Sequence, residues 1–307
     1  MGRYTVRRLL QIIPVFFGAT FLIFAMVYAI PGDPIRALTG DRPPSASVQA
    51  ELRDRYHLDD PLPVQYGKYI TGVFQGDLGE TFRGRQVSTI LKEAFPVTVR
   101  LALTAFAFEI VLGVLAGVLA ALRRGSFMDS LVLVTTTAVV SIPIFVLGYT
   151  AQILLGLKFR LLPISGVRDG WVSYILPGMV LGATSLAYIA RLTRTSLMEN
   201  LRADYVRTAI AKGMPRPRVV GRHALRNSLI PVVTFLGVDL GHLMGGAIIT
   251  EGIFNIPGVG GEVFRAVQAQ ENPVVVGLVT VLVLVFVLSN LIVDLLYAAL
   301  DPRIRYG

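Results

Sequence analysis

The chain has 307 residues, 53% of them hydrophobic and only 16% charged, with no cysteine and a formal net charge of +9. Soluble domains carry roughly a quarter charged residues, so this composition indicates an all-α, polytopic membrane protein. The lack of cysteine excludes disulfides, thiolate zinc sites and thiol catalysis.

A bilayer core takes about 20 predominantly apolar residues. Six stretches reach that scale: Leu9–Ile30, Leu101–Leu122, Leu131–Leu157, Val172–Ile189, Ser228–Ile249 and Val274–Leu296. The first follows Arg3, Arg7 and Arg8, and Val27-Tyr28-Ala29 resembles a cleavage site. Its apolar region is too long for a secretory signal, so it reads as an uncleaved anchor. Next comes a polar outer segment. Ser45–Leu58, SASVQAELRDRYHL, reads as an amphipathic helix, and PVQYGKYITGVFQGDLG as a second short helix ending at Gly76. Such a segment suits a cap over an outer opening or a docking surface.

Within the apolar stretches, glycines recur at four-residue spacing: Gly113/Gly117, Gly178/Gly182 and Gly237/Gly241/Gly245. That spacing lets helix backbones approach closely in lipid, and the threefold row at Gly237, Gly241 and Gly245 is the expected packing face. Ser141-Ile142-Pro143 interrupts the third stretch and is a candidate for shaping a translocation path through Ser141 and Pro143. Charges inside a membrane usually face a bundle interior or a watery cavity. Asp239 and His242, three residues apart, share a helix face and are further path candidates, or else a local pair. Glu109 and Asp294 read as structural.

With the N-terminus inside, sixteen Lys and Arg fall on the inner side and four in the short outer loops: Lys158, Arg160, Arg168 and Arg265. The long outer segment is left out of this comparison, because long loops cross largely regardless of charge. Both termini are therefore expected in the cytoplasm, and the positive charge marks the inner side rather than a nucleic-acid partner. Nine of the inner cations lie between Arg191 and Arg226. There DYVRTAIAKGMPRPRVVGRHALRNSLIP places Val206, Ala209, Ile210, Gly213 and Met214 on one helical stripe. Arg207, Thr208, Ala211 and Lys212 lie off it. Met214-Pro215-Arg216-Pro217 is expected to stop this helix, and a second helix from about Arg218 leads into the fifth stretch. A short exposed helix joined to a membrane helix suits a push from a cytoplasmic partner. Lying on anionic lipid is the alternative these residues leave open.

DYVRTAIAKG followed by RHALRNSLIP resembles the coupling segment of ATP-driven (ABC) importer permeases, in the form used by the dipeptide/oligopeptide (and nickel) permease family. Aligned on Gly213, only Ala209 and Gly213 match the general Glu-Ala-Ala-x-x-x-Gly pattern; the departures are similar to the peptide subfamily. RRLLQIIPVFFGATFLIF with Pro31–Pro34, Gly76–Thr81 (GDLGET, with Glu80-Thr81 where Ser is more usual), Thr250–Gly260 (TEGIFNIPGVG) and Leu300–Arg305 (LDPRIR) resemble other stretches of that family in order.

The resemblance implies the type I importer permease fold with six transmembrane helices. Residues 1–100 would hold the first helix and outer loop region, and 101–307 a five-helix core with a coupling helix at about 203–222. It implies a prokaryotic cytoplasmic (inner) membrane location and a heterodimer with a second, homologous permease. Two P-loop ATPase subunits binding ATP and Mg, and an extracytoplasmic substrate-binding protein, would complete the importer. Asp204, Tyr205, Arg207, Thr208, Ala209, Lys212, Gly213 and Arg216 would form the ATPase-coupling interface. The chain has no P-loop of its own, since Gly67-Lys68 is followed by Tyr69 and lacks the upstream glycine. It is thus expected to be non-catalytic and cofactor-free. His57, His223 and His242 are scattered, without metal-ligand spacing. A self-sufficient secondary transporter or channel, with Asp239/His242 as a proton relay, is the competing class. It leaves the cytoplasmic helix and the ordered signatures unexplained.

Overall fold

The computed structural model describes residues 2–29 and 59–300, together with residues 47, 50 and 53. The rest of the amphipathic helix expected at 45–58, the exit at Pro31–Pro34, His57 and the signature beyond Leu300 lie outside these residues; residues 47, 50 and 53 are helical. Every regular element among the described residues is helical, apart from one isolated bridge between Glu80 and Gln86.

Helix α1 (Gly2–Ala29) packs along the last helix, and α2 (Leu62–Phe74) lies across its outer part. Two tyrosines of α2 fix that position. Tyr66 shares a 2.9 Å hydrogen bond with Thr20, and Tyr69 donates to Thr280 at 2.8 Å. Burial pushes the Tyr69 phenol up to about 12, the bond to Thr280 offsetting part of that effect, so it remains a donor.

Helix α3 (Val87–Leu122) begins at Val87 rather than Leu101, because exposed Lys92, Glu93 and Arg100 interrupt the apolar run without interrupting the helix. Its 36 residues span about 54 Å at 1.5 Å per residue, well beyond a core of about 30 Å. It is the central element, and it packs most extensively on the helix Ala183–Asn200.

The third apolar stretch is two helices, not one. α4 (Phe127–Ser141) and α5 (Ile144–Ala151), the latter continued by a π-helical turn at Gln152–Lys158, meet at 108°. Ile142 is extended, as a residue before proline prefers, and Pro143 opens the next helix. α6 (Val172–Leu181) and α7 (Ala183–Asn200) bend by 61° at Gly182. A short helix α8 (Asp204–Ala211) then leads to a helical stretch Arg216–Ser228, bent by 45° from α9 (Ile230–Ile253). α10 (Val259–Gln268) and α11 (Asn272–Leu300) complete the chain.

By length and composition, three described helices are long and apolar enough to cross a membrane, rising to six if each bent pair counts as one. Their outer faces leave residues such as Leu103, Val111 and Leu115 uncovered by the chain, as suits helices that meet lipid.

The closest helix contacts are at glycines other than the expected row. A Cβ on Gly117 would lie 2.5 Å from the Ala190 carbonyl, and one on Gly113 2.9 Å from Ile189, both on α7. Gly178 and Gly182 bring α6 equally close to α3. In the fifth stretch a Cβ on Gly241 would lie 3.3 Å from Ser289, a tight but less extreme approach, Gly237 is half-buried, and a Cβ on Gly245 would meet nothing within 4 Å among the described residues. Four-residue spacing marks a smooth face; which neighbour fills it depends on the bends, which composition does not reveal.

Candidate functional site

The segment after α7 forms a hook at one end of the bundle. Asp204 opens α8, where a negative charge suits the helix N-terminus. Val206 and Ala209 turn inward, and with Ala121 of α3, Leu197 of α7, Val219 and Ala224 they make a small apolar core. Burying a valine side chain is worth about 1.5–3 kcal/mol, so a helix of two turns holds by this contact rather than by itself. Tyr205, Arg207, Thr208, Ile210, Ala211 and Lys212 face outward. Ile210 is 60% exposed, so the apolar stripe is narrower than its spacing suggests. Arg207 and Asp204 pair at 3.5 Å on the open surface, where such a contact adds little.

Gly213 ends the helix, two residues ahead of the first proline. Its φ of +75° lets the Gly213 N–H donate to Ile210 at 2.9 Å and the Met214 N–H to Ala209 at 3.3 Å. This is a Schellman stop, completed by Met214 packing against the same core. Pro215 then caps the stretch that carries Arg216 and Arg218, both exposed.

An ion pair braces the surface on which the hook sits. The Asp129 carboxylate of α4 receives the Arg194 guanidinium of α7 at 2.9 Å and the Gly125 N–H at 2.9 Å. A two-pronged arginine contact fixes geometry as well as charge. It ties the α3–α4 turn to α7, and α3 and α7 supply Ala121 and Leu197 to the small core.

From the hook the chain runs through Arg216–Ser228 into α9, which carries Asp239. Asp239 is only 5% exposed and accepts a 2.9 Å hydrogen bond from Ser185 of α7. It also contacts the fully buried carboxyl of Glu109 on α3. His242 is exposed. Residues three apart on a helix differ by about 60° of rotation, and here the boundary of the packed interface falls between them.

At the far end of α9 a carboxylate organises the following loop. Glu251 is fully buried, accepting from Thr98 of α3 at 2.7 Å and from the Gly261 N–H at 2.8 Å. Thr98 in turn accepts from the Val259 N–H at 2.8 Å. The carboxylate thus serves the first turn of α10, where backbone donors lack helical partners. A Cβ on Gly258 would lie 2.4 Å from Glu251, and one on Gly260 2.6 Å from the Ile248 Cα, so the TEGIFNIPGVG stretch needs these glycines for close approach.

Two family models divide the chain between them. Residues 113–306 match the inner membrane component of binding-protein-dependent transport systems, and residues 1–102 match the N-terminal part of such membrane components. The chain belongs to this family. It is 39% identical over 336 residues to a dipeptide transport system permease protein of Alkalihalophilus pseudofirmus, covering all of both chains. It is 40% identical over 334 residues to a di/tripeptide transport system permease protein of Pseudomonas aeruginosa, covering all of this chain and 99% of that one. It is also 39% identical over 307 residues to a glutathione transport system permease protein of Salmonella paratyphi A, again over the whole of both.

In this transport-system membrane component, the residues expected at the coupling interface all lie on the hook, but not on one face. Asp204, Tyr205, Arg207, Thr208, Lys212, Gly213 and Arg216 are exposed, whereas Ala209 is packed inward. Among the path candidates, Ser141, Pro143 and His242 are exposed and Asp239 is buried. Asp294, expected to be structural, pairs with Arg8 of α1 at 3.3 Å. Sequence reasoning missed Glu251, Thr98, Asp129, Arg194 and Ser185. Glu251 had a legible signal, an acid followed by a glycine-rich turn at a helix start; the others had none.

Proposed function

We propose that the chain is one permease subunit of an ATP-driven, binding-protein-dependent importer of peptides, forming half of the translocation pathway. In this reading it has six spans, with the three bent pairs each crossing once, and both termini are cytoplasmic. It resides in the inner membrane of a prokaryote beside a second, homologous permease, two ATPase subunits that bind ATP and Mg, and an extracytoplasmic binding protein. Peptide cargo is supported by the whole-length likeness to dipeptide, di/tripeptide and glutathione permeases.

The observation that carries the reading is the hook. A two-turn helix is held from behind by Val206 and Ala209 while it presents Tyr205, Arg207, Thr208, Ile210 and Lys212 outward. A basic helix meant only to lie on lipid has no need of a braced platform or an engineered stop. A docking helix needs both, so that force on its outer face reaches α9 without unravelling it. Gly213 and Arg216 border the docked surface, with Asp204 at its start; Ala209 supports it from inside. The exposed Ser141, Pro143 and His242, with Asp239 behind them, are proposed to border the translocation path. Gly237, Gly241 and Gly245 are proposed to form a packing face, Gly241 toward α11 and Gly245 toward the second permease.

The test is uptake of labelled dipeptides and tripeptides by vesicles holding the complete transporter. Replacing Ile210 by Asp, or Arg207 by Glu, should abolish ATP-driven uptake while the subunit stays in the membrane and retains its partner permease. Uptake that persists in both variants, or without ATP, would favour the self-sufficient transporter instead.

A further inference from the structure

We propose that Glu109 and Asp239 form a proton-binding site inside the membrane, in which at least one proton held between two carboxyls joins α3 to α9. Glu109 lies thirteen residues before the end of α3 at Leu122, about 20 Å along the helix. Asp239 lies nine residues into α9, about 14 Å along it. Both are therefore deep within the apolar layer, and they meet there.

The donors in reach do not suffice for four carboxyl oxygens. Ser185 supplies one, to Asp239 Oδ1. Asp239 Oδ2 and both Glu109 oxygens are buried, with no hydrogen-bond donor among the described residues. Buried polar atoms are almost always paired, and an ionised carboxylate can only accept. A proton on either acid supplies the missing donor.

Among the described residues no nearby cation offers an alternative. Asp239 is the charged group among them that acts on Glu109. On α7, Arg194 is committed to Asp129, and Arg191 lies six residues beyond Ser185. Tyr188 packs its ring on Phe235. On α9, His242 is turned outward, and on α11, Asp294 is paired with Arg8. Tyr174 of α6 is buried in a separate apolar cluster. Two adjacent negative charges in an apolar interior repel without screening, so one proton stays with the pair. It removes a charge and turns the repulsion into a short charge-assisted hydrogen bond.

The site's place in the fold gives it a consequence. α9 continues the hook through one 45° bend, so a displacement that separates α9 from α3 must break this bond. That consequence rests on the coupling reading, whereas the proton itself is testable without transport.

The experiment is infrared spectroscopy of the assembled transporter in lipid nanodiscs at neutral pH. Wild type should show a protonated-carboxyl C=O band that shifts in heavy water. The Glu109→Gln/Asp239→Asn double variant should lose it, while Glu93→Gln, at an exposed acid, should keep it. Melting against pH supplies the second arm. An ordinary unfolded carboxylate binds no proton at neutral pH, whereas the folded pair does, so lowering the pH stabilises the fold. Each such proton shifts the unfolding equilibrium about tenfold per pH unit, and the double variant should lose that share of the slope. If the double variant does not assemble, Glu109→Gln alone should melt with the shallower slope, because its amide donates without titrating. A difference spectrum without a carboxyl band, or parallel melting slopes in wild type and variant, would overturn the proposal.

Discussion

Replacing Gly213 by Ala should loosen the hook without touching its outer face. At φ +75° an L-residue is strained, yet a Cβ there meets nothing within 4 Å. The cost is therefore backbone conformation alone, about 1–2 kcal/mol. Because the Schellman bonds from Gly213 and Met214 close the end of a two-turn helix, that strain falls on the local opening of α8. It should raise the open fraction about 5- to 30-fold. The chain has no native cysteine, so Ala209→Cys, at a site 6% exposed, is a clean reporter of opening. Maleimide labelling should accelerate by that factor in Gly213→Ala and by less in Gly213→Asn, since Asn visits this region more readily. Lys212→Ala should leave the rate unchanged. A Gly213→Ala protein that labels no faster than its parent would refute the claim that this glycine holds the hook closed.

Gly117→Ala should destabilise the fold by about 1–3 kcal/mol through overpacking against α7. Gly245→Ala, whose Cβ would meet nothing within 4 Å among the described residues, should melt no lower than wild type when the subunit is purified alone. Asp129→Ala leaves the Arg194 guanidinium, 17% exposed, without its partner and should cost about 3 kcal/mol. Adding Arg194→Ala should restore part of that loss in a double-mutant cycle read by chemical denaturation. Glu251→Ala strips an acceptor from buried donors, each worth about 1–3 kcal/mol. Hydrogen exchange at the Gly261 amide should then accelerate.

Apolar length located every membrane-type helix but not its breaks. In the third stretch Ser141-Ile142-Pro143 suggested a kink where the chain turns through 108°. A proline announces that α geometry is disfavoured before it; how far the chain turns is decided by what the two halves pack against. The start of α3 at Val87 was hidden for the opposite reason, since exposed charges end an apolar run but not a helix. On the hook, helical spacing identified Val206 and Ala209 as inward, yet it could not show that Ile210 escapes the interface. The prolines looked like the helix stop, and Gly213 had already ended it. Asp239 and His242 fell on one face by spacing and on opposite sides of a packing boundary in space. Long-range partners such as Thr98 with Glu251, or Ser185 with Asp239, join residues too distant in the chain for local pattern to reveal.

The central claim is that the outward face of α8 receives the motor. A single Thr208→Cys carrying a short photo-crosslinker, in native membranes, tests it most directly, because Thr208 is exposed and its hydroxyl only bonds back to Asp204 within the helix. Capture of an ATPase subunit, reduced when Gly213→Ala loosens the hook, is the predicted result. Capture of lipid alone, with uptake continuing after the ATPase subunits are deleted, would contradict the account.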